Sequence, residues 1–335
     1  MAEEKVEAFV PPLDPDFTAL ADLATGAGVG SEGFDLAAMR SAIDAVVTLP
    51  PAIAEVDVGR VVVDAHTGVE AETFAPTTPG PHPALIWLHG GGYVVGAPLM
   101  GGARMQSWSA KLGCFAISVD YRLAPEHPFP AAHNDALSAL EWLIASAEEL
   151  GVDAERIVVA GASAGGGIAA GLALAARDRG LSLAGQLLFY PMLDDRQQTP
   201  SSAWATPIWD RTANEYAWRA YLGDHDDDDV SAYAAPARAV EVAGLSPLMV
   251  IVGSADRFVD EDLAYASRLM HAGVPTDVRV YSGAPHGFDL VGEDSSISVA
   301  AVAEAENWLR RRFSPRNDGA TSWPDQPADR NAEEP

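Results

Sequence analysis

The sequence contains one cysteine, Cys114, among its 335 residues. A single thiol cannot form a disulfide within the chain, so covalent cross-links do not hold the fold together. Residues 114–119 form an apolar run typical of a β-strand, and we therefore expect a buried, inert thiol. No apolar stretch approaches the roughly 20 residues of a membrane-spanning helix. Residues 1–5 lack the basic-then-apolar pattern of a signal peptide. These absences favour a cytoplasmic protein without a membrane span.

Positive charge is also scarce. The chain has 21 Lys and Arg residues against 48 Asp and Glu, for a net charge of −27 at pH 7. Nucleic acids and anionic membrane surfaces would repel such a chain, so we exclude both as partners. Hydrophobic residues make up 48% of the sequence. That content can bury a large core, and the length allows one or two domains.

Ser163 is the first candidate catalytic residue. It lies in the sequence GASAG at residues 161–165, after an apolar, β-branched segment at 156–160 and before an Ala-, Gly- and Leu-rich segment at 164–178. This order predicts a strand, a tight turn and a helix, which is the setting of a nucleophile elbow. A Cβ at either glycine of the turn would collide with the adjoining strand or helix. Taken alone the motif is weak, because a plain packing turn has the same composition.

A glycine-rich loop is the second candidate element. The sequence HGGG at residues 89–92 directly follows an apolar strand pattern at 83–88. Three consecutive glycines are costly in backbone entropy, so a compact protein needs a reason to place them there. Close approach of backbone N–H groups to a substrate oxygen is such a reason, and a flexible turn is the alternative. We expect His89 to anchor this loop by hydrogen bonding and not to act as a base.

His286 is the best candidate for a general base and Asp256 for its carboxylate partner. His286 lies in a Gly- and Pro-containing loop after a strand pattern at 278–281, where catalytic side chains are often presented. Asp256 follows a strand pattern at 247–253 and precedes a predicted helix that begins near Val259. The order Ser, Asp, His is that of an α/β-hydrolase. Four further histidines lie in polar or helical contexts and are interpreted as structural or solvated: His127, His133, His225 and His271.

These segments together resemble the hormone-sensitive-lipase-like branch of the α/β-hydrolase carboxylesterases. The resemblance covers roughly residues 80 to 313 and includes DYRLAPEHPFPAA at 120–132 and HGF at 286–288. It implies an α/β fold with a central, mostly parallel, eight-stranded sheet, helices on both faces and a helical cap. It also implies that Ser163 is the nucleophile, Asp256 the acid and His286 the base.

The same resemblance implies an oxyanion hole formed by the N–H groups of Gly91, Gly92 and Ala164, with no metal and no organic cofactor. A small-molecule ester is the implied partner, and a homodimer is possible because relatives often pair. One departure concerns Ala162, where this family usually carries Asp or Thr. The replacement removes a hydrogen-bonding side chain beside the serine, so its effect on the rigidity of the turn is open.

From about residue 83 onward strand and helix patterns alternate, which is typical of a mainly parallel α/β sheet. Two antiparallel strands are predicted before that point, at 55–63 and 69–75, and a helix is predicted at 134–150. Three acidic residues at 260–262 are interpreted as favouring the N-terminal dipole of the following helix. We predict that residues 1–50 form the N-terminal part of the cap and that residues 193–246 form a cap insertion. Residues 51–192 and 247–313 are predicted to form the first and second parts of the catalytic core. Residues 314–335 are predicted to be a disordered tail.

The segment 193–246 interrupts the strand–helix alternation and is rich in aromatic residues: Trp204, Trp209, Tyr216, Trp218 and Tyr221. Core packing alone would explain them, but a cap over the serine would place some in the acyl or alcohol pocket. The acidic run at 224–229 does not match a calcium-binding loop, because Asp229 stands where the turn glycine belongs. We interpret it as a solvated loop.

The sequence therefore predicts a serine carboxylesterase that hydrolyses short- to medium-chain acyl esters through an acyl-enzyme intermediate. Two alternatives remain open. An amidase or peptidase could use the same three residues, since amide cleavage differs mainly in protonation of the leaving group. A ligand-binding protein of the same fold could have lost catalysis, although such proteins typically lack the working histidine that is present here as His286.

Overall fold

Eight strands and nine α-helices are labelled in the described part of the chain, which in this computed structural model is residues 9–19, 35–223 and 229–315. The strands are β1 (Val56–Asp64), β2 (Val69–Pro76), β3 (His82–Leu88), β4 (Phe115–Val119), β5 (Val152–Ala162), β6 (Gly185–Phe189), β7 (Leu248–Gly253) and β8 (Thr276–Tyr281). The helices are α1 (Leu36–Val46), α2 (Gly102–Leu112), α3 (Ala131–Ala145), α4 (Ala147–Leu150), α5 (Ala164–Asp178), α6 (Arg211–Leu222), α7 (Val259–His271), α8 (Phe288–Val291) and α9 (Ser296–Phe313).

All eight strands form one sheet in the order β1-β2-β4-β3-β5-β6-β7-β8. Strand β2 runs antiparallel to both β1 and β4, and every other neighbouring pair is parallel. The predicted antiparallel pair and the mostly parallel sheet are thus confirmed. Strands β4, β6 and β7 are buried at every residue. Burial along the whole strand is expected where helices cover both faces of a parallel sheet.

The predicted helix at 134–150 is two helices in the structure, α3 and α4. Helix α3 begins at Ala131, directly after Pro130, because proline is tolerated immediately before the first turn. Ser146 separates the two helices with a ψ of 5°, outside the helical range. Gly151 ends α4 in the left-handed conformation, with a φ of 63°, as its position in the sequence predicts.

Cys114 lies one residue before β4 and is fully buried. Burial raises the pKa of its thiol to about 12, so the thiol stays protonated at neutral pH. The prediction of a buried cysteine is confirmed. No helix within the described ranges is both long enough and apolar enough to cross a membrane.

The strand–helix alternation stops between β6 and β7, as predicted. In the described residues of that segment the chain forms α6 and two short 3-10 helices, Ser201–Ala203 and Pro236–Arg238. Residues 224–228 of the acidic run and residues 316–335 of the tail lie outside the described residues, as do 1–8 and 20–34 of the N-terminal segment.

Candidate active site

Ser163 occupies a tight turn between β5 and α5, with a φ of 55° and a ψ of −121°. A residue with a side chain adopts this strained backbone only where its surroundings enforce it. The close approach of neighbouring backbone explains the two flanking glycines. A Cβ on Gly161 would lie 2.3 Å from the Gly165 carbonyl oxygen, and a Cβ on Gly165 would lie 2.1 Å from that of Leu88. The predicted steric need for both glycines is confirmed.

The structure brings Ser163, His286 and Asp256 into one hydrogen-bonded chain. His286 Nε2 lies 2.9 Å from Ser163 Oγ, and His286 Nδ1 lies 2.8 Å from Asp256 Oδ2. All three residues are at least 95% buried. Each follows the carboxyl end of a parallel strand, namely β5, β7 and β8, so the sheet gathers them at one edge. A base positioned in this way can take a proton from a serine hydroxyl.

Aromatic side chains enclose the imidazole of His286. The Phe258 ring meets it edge to face at 5.1 Å between centroids, and the Tyr190 ring meets it at 4.7 Å. Sequence reasoning did not identify either residue. Their positions in the sequence could have indicated them. Tyr190 directly follows β6 at the same edge of the sheet, and Phe258 comes two residues after Asp256.

The glycine loop lies against the serine turn. A Cβ on Gly90 would be 3.1 Å from the Ala162 carbonyl oxygen and 3.4 Å from Ser163 Cβ. Gly91 and Gly92 have φ values of 120° and 59°, which favour glycine. Among the described residues, no acceptor takes a hydrogen bond from the N–H groups of Gly91, Gly92 or Ala164, the three predicted oxyanion donors. These donors are therefore available to a substrate oxygen.

His89 anchors this loop, as predicted. Its Nδ1 lies 2.8 Å from the Gly90 carbonyl oxygen, and the Tyr121 hydroxyl donates to the His89 carbonyl at 2.7 Å. The two rings stack with their centroids 4.2 Å apart. Burial lowers the pKa of His89 to about 4, so the imidazole is uncharged at neutral pH.

Known proteins share this arrangement of sequence and fold. A family model described as alpha/beta hydrolase fold matches residues 85–290. Esterase LipI of Mycobacterium tuberculosis is 38% identical over 235 residues, which are 69% of this chain and 73% of LipI. Carboxylic ester hydrolase LipN of the same organism is 31% identical over 316 residues, 90% of this chain and 84% of LipN. A bacterial heroin esterase of known structure is 36% identical with a TM-score of 0.84, covering 91% of this chain and 99% of its own.

The chain belongs to the hormone-sensitive-lipase-like family of carboxylesterases. It is a carboxylic ester hydrolase with the α/β-hydrolase fold, as the resemblance of its motifs implies. The alternative of a ligand-binding protein without catalysis is therefore wrong.

Two helices outside the sheet contact the residues that directly follow the glycine loop of this esterase. From α6, the Tyr221 ring stacks on Tyr93 with centroids 3.8 Å apart. From α1, Arg40 Nε donates to the Val94 carbonyl at 2.8 Å, and its guanidinium forms an ion pair with Glu126 at 2.9 Å. The position of the loop therefore depends on helices that lie before and after the serine turn in the chain.

Trp209 covers the glycine loop. A Cβ on Gly92 would lie 2.3 Å from Trp209 Cη2, so the indole packs directly on the glycine backbone. Its ring centroid is 6.3 Å from that of His286. The indole Nε1 donates to Asn214 Oδ1 at 3.1 Å, which fixes the ring in place.

The acidic residues at 260–262 lie in the first turn of α7, as predicted, but they do more than favour its dipole. Glu261 is buried, and its Oε1 accepts from the N–H groups of Leu193 at 2.8 Å and Asp194 at 3.2 Å. Asp262 is fully buried. Burial raises the pKa of both carboxyl groups well above their usual range. Glu261 thereby connects α7 to the segment that follows β6.

Proposed function

We propose that this esterase cleaves its substrate by transferring the acyl group to Ser163. The Ser163 hydroxyl attacks the ester carbonyl carbon while His286 Nε2 accepts the hydroxyl proton. Asp256 holds the imidazole in the required tautomer and stabilises the imidazolium that forms. The observation that carries this proposal is the unbroken chain of two hydrogen bonds, 2.9 Å and 2.8 Å long, from Ser163 through His286 to Asp256.

The oxygen that becomes negative in this step would accept hydrogen bonds from the N–H groups of Gly91, Gly92 and Ala164. Their lack of any other acceptor among the described residues supports this role. Removal of one such donor typically costs roughly 3 kcal/mol of transition-state stabilisation. The intermediate then expels the alcohol, which His286 protonates. Water attacks the acyl-enzyme with His286 again as base, and the carboxylic acid leaves. The proposed mechanism uses no metal and no organic cofactor.

We assign α1 and α6 to a cap over the serine and propose small-molecule esters with short- to medium-chain acyl groups as substrates. Trp209 supports the limit on chain length, because its indole fills the space directly above Gly92 and beside His286. The name of the solved relative, a heroin esterase, supports a small-molecule ester.

The test compares initial rates on p-nitrophenyl acetate, butyrate, octanoate and palmitate for the wild type and Ser163→Ala. We expect the variant to fold normally and to be at least ~10³-fold slower, as for loss of a nucleophile. Ser109→Ala is the matched control, because this buried hydroxyl donates at 3.1 Å to the Phe74 carbonyl of β2, a strand remote from the triad in the sheet. Activity of Ser163→Ala near the wild-type level would overturn the mechanism. Faster cleavage of p-nitrobutyranilide than of the butyrate ester would instead favour an amidase.

A further inference from the structure

Tyr190 contacts the imidazole of His286 but has no part in the mechanism above. It is buried and directly follows β6, and its N–H donates to the Ile251 carbonyl at 2.7 Å. Its φ of 35° is unusual for a residue with a side chain. Such a backbone persists only where the surrounding structure holds it, and it occurs preferentially at functional sites. A contact at the Tyr190 hydroxyl holds this side chain against His286.

The hydroxyl of Tyr190 provides that contact by donating to Asp289 Oδ1. Burial and the negative charge of Asp289 raise the pKa of this hydroxyl well above its usual value, so it stays protonated and remains a donor. Asp289 lies in the first turn of α8, three residues after His286, and its side chain is fully buried. The loop that carries His286 is thus joined to Tyr190 by a charge-assisted hydrogen bond.

Asp289 is fixed in turn by Arg104 of α2. The Arg104 guanidinium lies 2.6 Å from Asp289 Oδ2 and also donates to the Asp289 carbonyl at 3.3 Å. Its Cζ lies 5.1 to 5.8 Å from the centroids of three aromatic rings, those of Trp87, Trp108 and Phe189. A planar guanidinium held by rings, by an ion pair and by a hydrogen bond has little freedom to move. Helix α2 therefore provides a rigid point of attachment.

We propose that Arg104, Asp289 and Tyr190 are positioning residues for His286. Arg104 fixes Asp289, Asp289 fixes the Tyr190 ring, and this ring sets the orientation in which Nε2 faces Ser163 Oγ. Stability alone is a weak explanation for the ion pair, because the desolvation of a buried pair largely offsets its attraction. The inference rests on the proposed role of His286 as the base. It adds that the geometry of the base depends on three residues contributed by α2, α8 and the end of β6.

The test measures kcat and KM on p-nitrophenyl butyrate for Tyr190→Phe, Asp289→Asn and the double variant. Each single change should lower kcat roughly 10-fold and leave KM within about 2-fold, because it misplaces the base without touching bound substrate. The double variant should be no slower than the slower single variant, because both changes break the same chain of contacts. Tyr233→Phe is the matched control, since it also removes a tyrosine–aspartate hydrogen bond, 2.8 Å long to Asp178.

A second readout is the downfield proton NMR signal of His286 Nδ1–H, which reports its hydrogen bond to Asp256. We expect this signal to shift or broaden in Tyr190→Phe and to be unchanged in Tyr233→Phe. A wild-type kcat with an unchanged signal in Tyr190→Phe would overturn the inference, as would an equal loss in Tyr233→Phe. If Asp289→Asn does not fold because Arg104 loses its partner, Tyr190→Phe alone decides. Ser163→Ala is assayed in parallel to separate the positioning proposal from the proposed mechanism. Wild-type activity of Ser163→Ala would overturn the mechanism, whereas the Tyr190 and Asp289 variants test only the positioning of His286.

Discussion

Replacement of Gly165 by alanine should damage catalysis more than stability. Gly165 lies in the first turn of α5, where that helix passes the end of β3. A Cβ there would be 2.1 Å from the Leu88 carbonyl oxygen and 2.3 Å from that of His89. Even close carbon–oxygen contacts are about 3.3 Å long, so the start of α5 and the end of β3 must separate by about 1 Å.

Both sides of the proposed oxyanion hole border this contact. Ala164 directly precedes Gly165, and the loop with Gly91 and Gly92 directly follows His89. A separation of about 1 Å therefore moves one donor relative to the other two, and a misplacement of that size can lower the rate about 100-fold. Overpacking of this kind typically costs about 1 to 3 kcal/mol of unfolding free energy, which leaves a domain of this size folded.

The assay is kcat/KM on p-nitrophenyl butyrate together with urea unfolding. Gly102→Ala is the matched control, because Gly102 also lies at the start of a helix and has an ordinary helical φ of −58°. The atoms nearest to its added Cβ would belong to side chains, with Leu99 Cδ2 at 3.3 Å and Pro50 Cδ at 3.5 Å. We expect wild-type kcat/KM from the control. A value for Gly165→Ala within about 2-fold of wild type would refute the reasoning.

Two further predictions concern the acyl pocket and acid stability. Trp209→Leu should move the preferred p-nitrophenyl ester from short chains towards octanoate, because it removes the indole packed on Gly92 of the glycine loop. An unchanged preference would contradict this. Burial lowers the pKa of both His89 and His133 to about 4. Between pH 7 and pH 4 the unfolded chain therefore binds more protons than the folded chain. The free energy of unfolding falls as the pH is lowered through this range, by about 3 kcal/mol for each histidine. The raised pKa values of Glu261 and Asp262 act in the opposite direction, so the net change in wild-type stability does not report one histidine alone. Urea unfolding of wild type and His133→Phe at pH 7 and pH 4 isolates the contribution of His133. Equal pH dependence of the unfolding free energy in the two proteins would refute that contribution.

The sequence predicts most of the sheet because its signals are local. Strands β3 and β7 are short, continuous apolar runs. Strands β1 and β2, which pair antiparallel at one edge of the sheet, end at turn residues. The meeting of Ser163, Asp256 and His286 is also predictable, since each follows a strand pattern and parallel strands share one carboxyl edge. The division between α3 and α4 could not be predicted, because the apolar periodicity continues across Ser146.

The surroundings of the site depend on contacts between distant parts of the chain. Arg104 and Asp289 are 185 residues apart, and no spacing rule joins them. Trp209 stood out only as one of five aromatic residues in its segment, and its contact with Gly92 depends on how α6 and the residues before it pack on the glycine loop. Glu261 looked like a helix-dipole residue, because the N–H groups that donate to its carboxylate belong to the distant segment after β6. Local pattern determines each element, whereas packing determines which side chains complete the site.

Ala162 illustrates how far the backbone alone can hold the serine turn. The usual Asp or Thr would add a side-chain hydrogen bond there, and the methyl group of Ala162 cannot. Yet the Ser163 N–H donates to the Phe189 carbonyl at 2.9 Å, and the Ser163 carbonyl accepts from the N–H groups of Gly167 and Met192, both at 3.0 Å. These three bonds tie the turn to β6, to α5 and to the segment after β6. Because they need no side chain at position 162, the strained conformation of Ser163 survives the replacement.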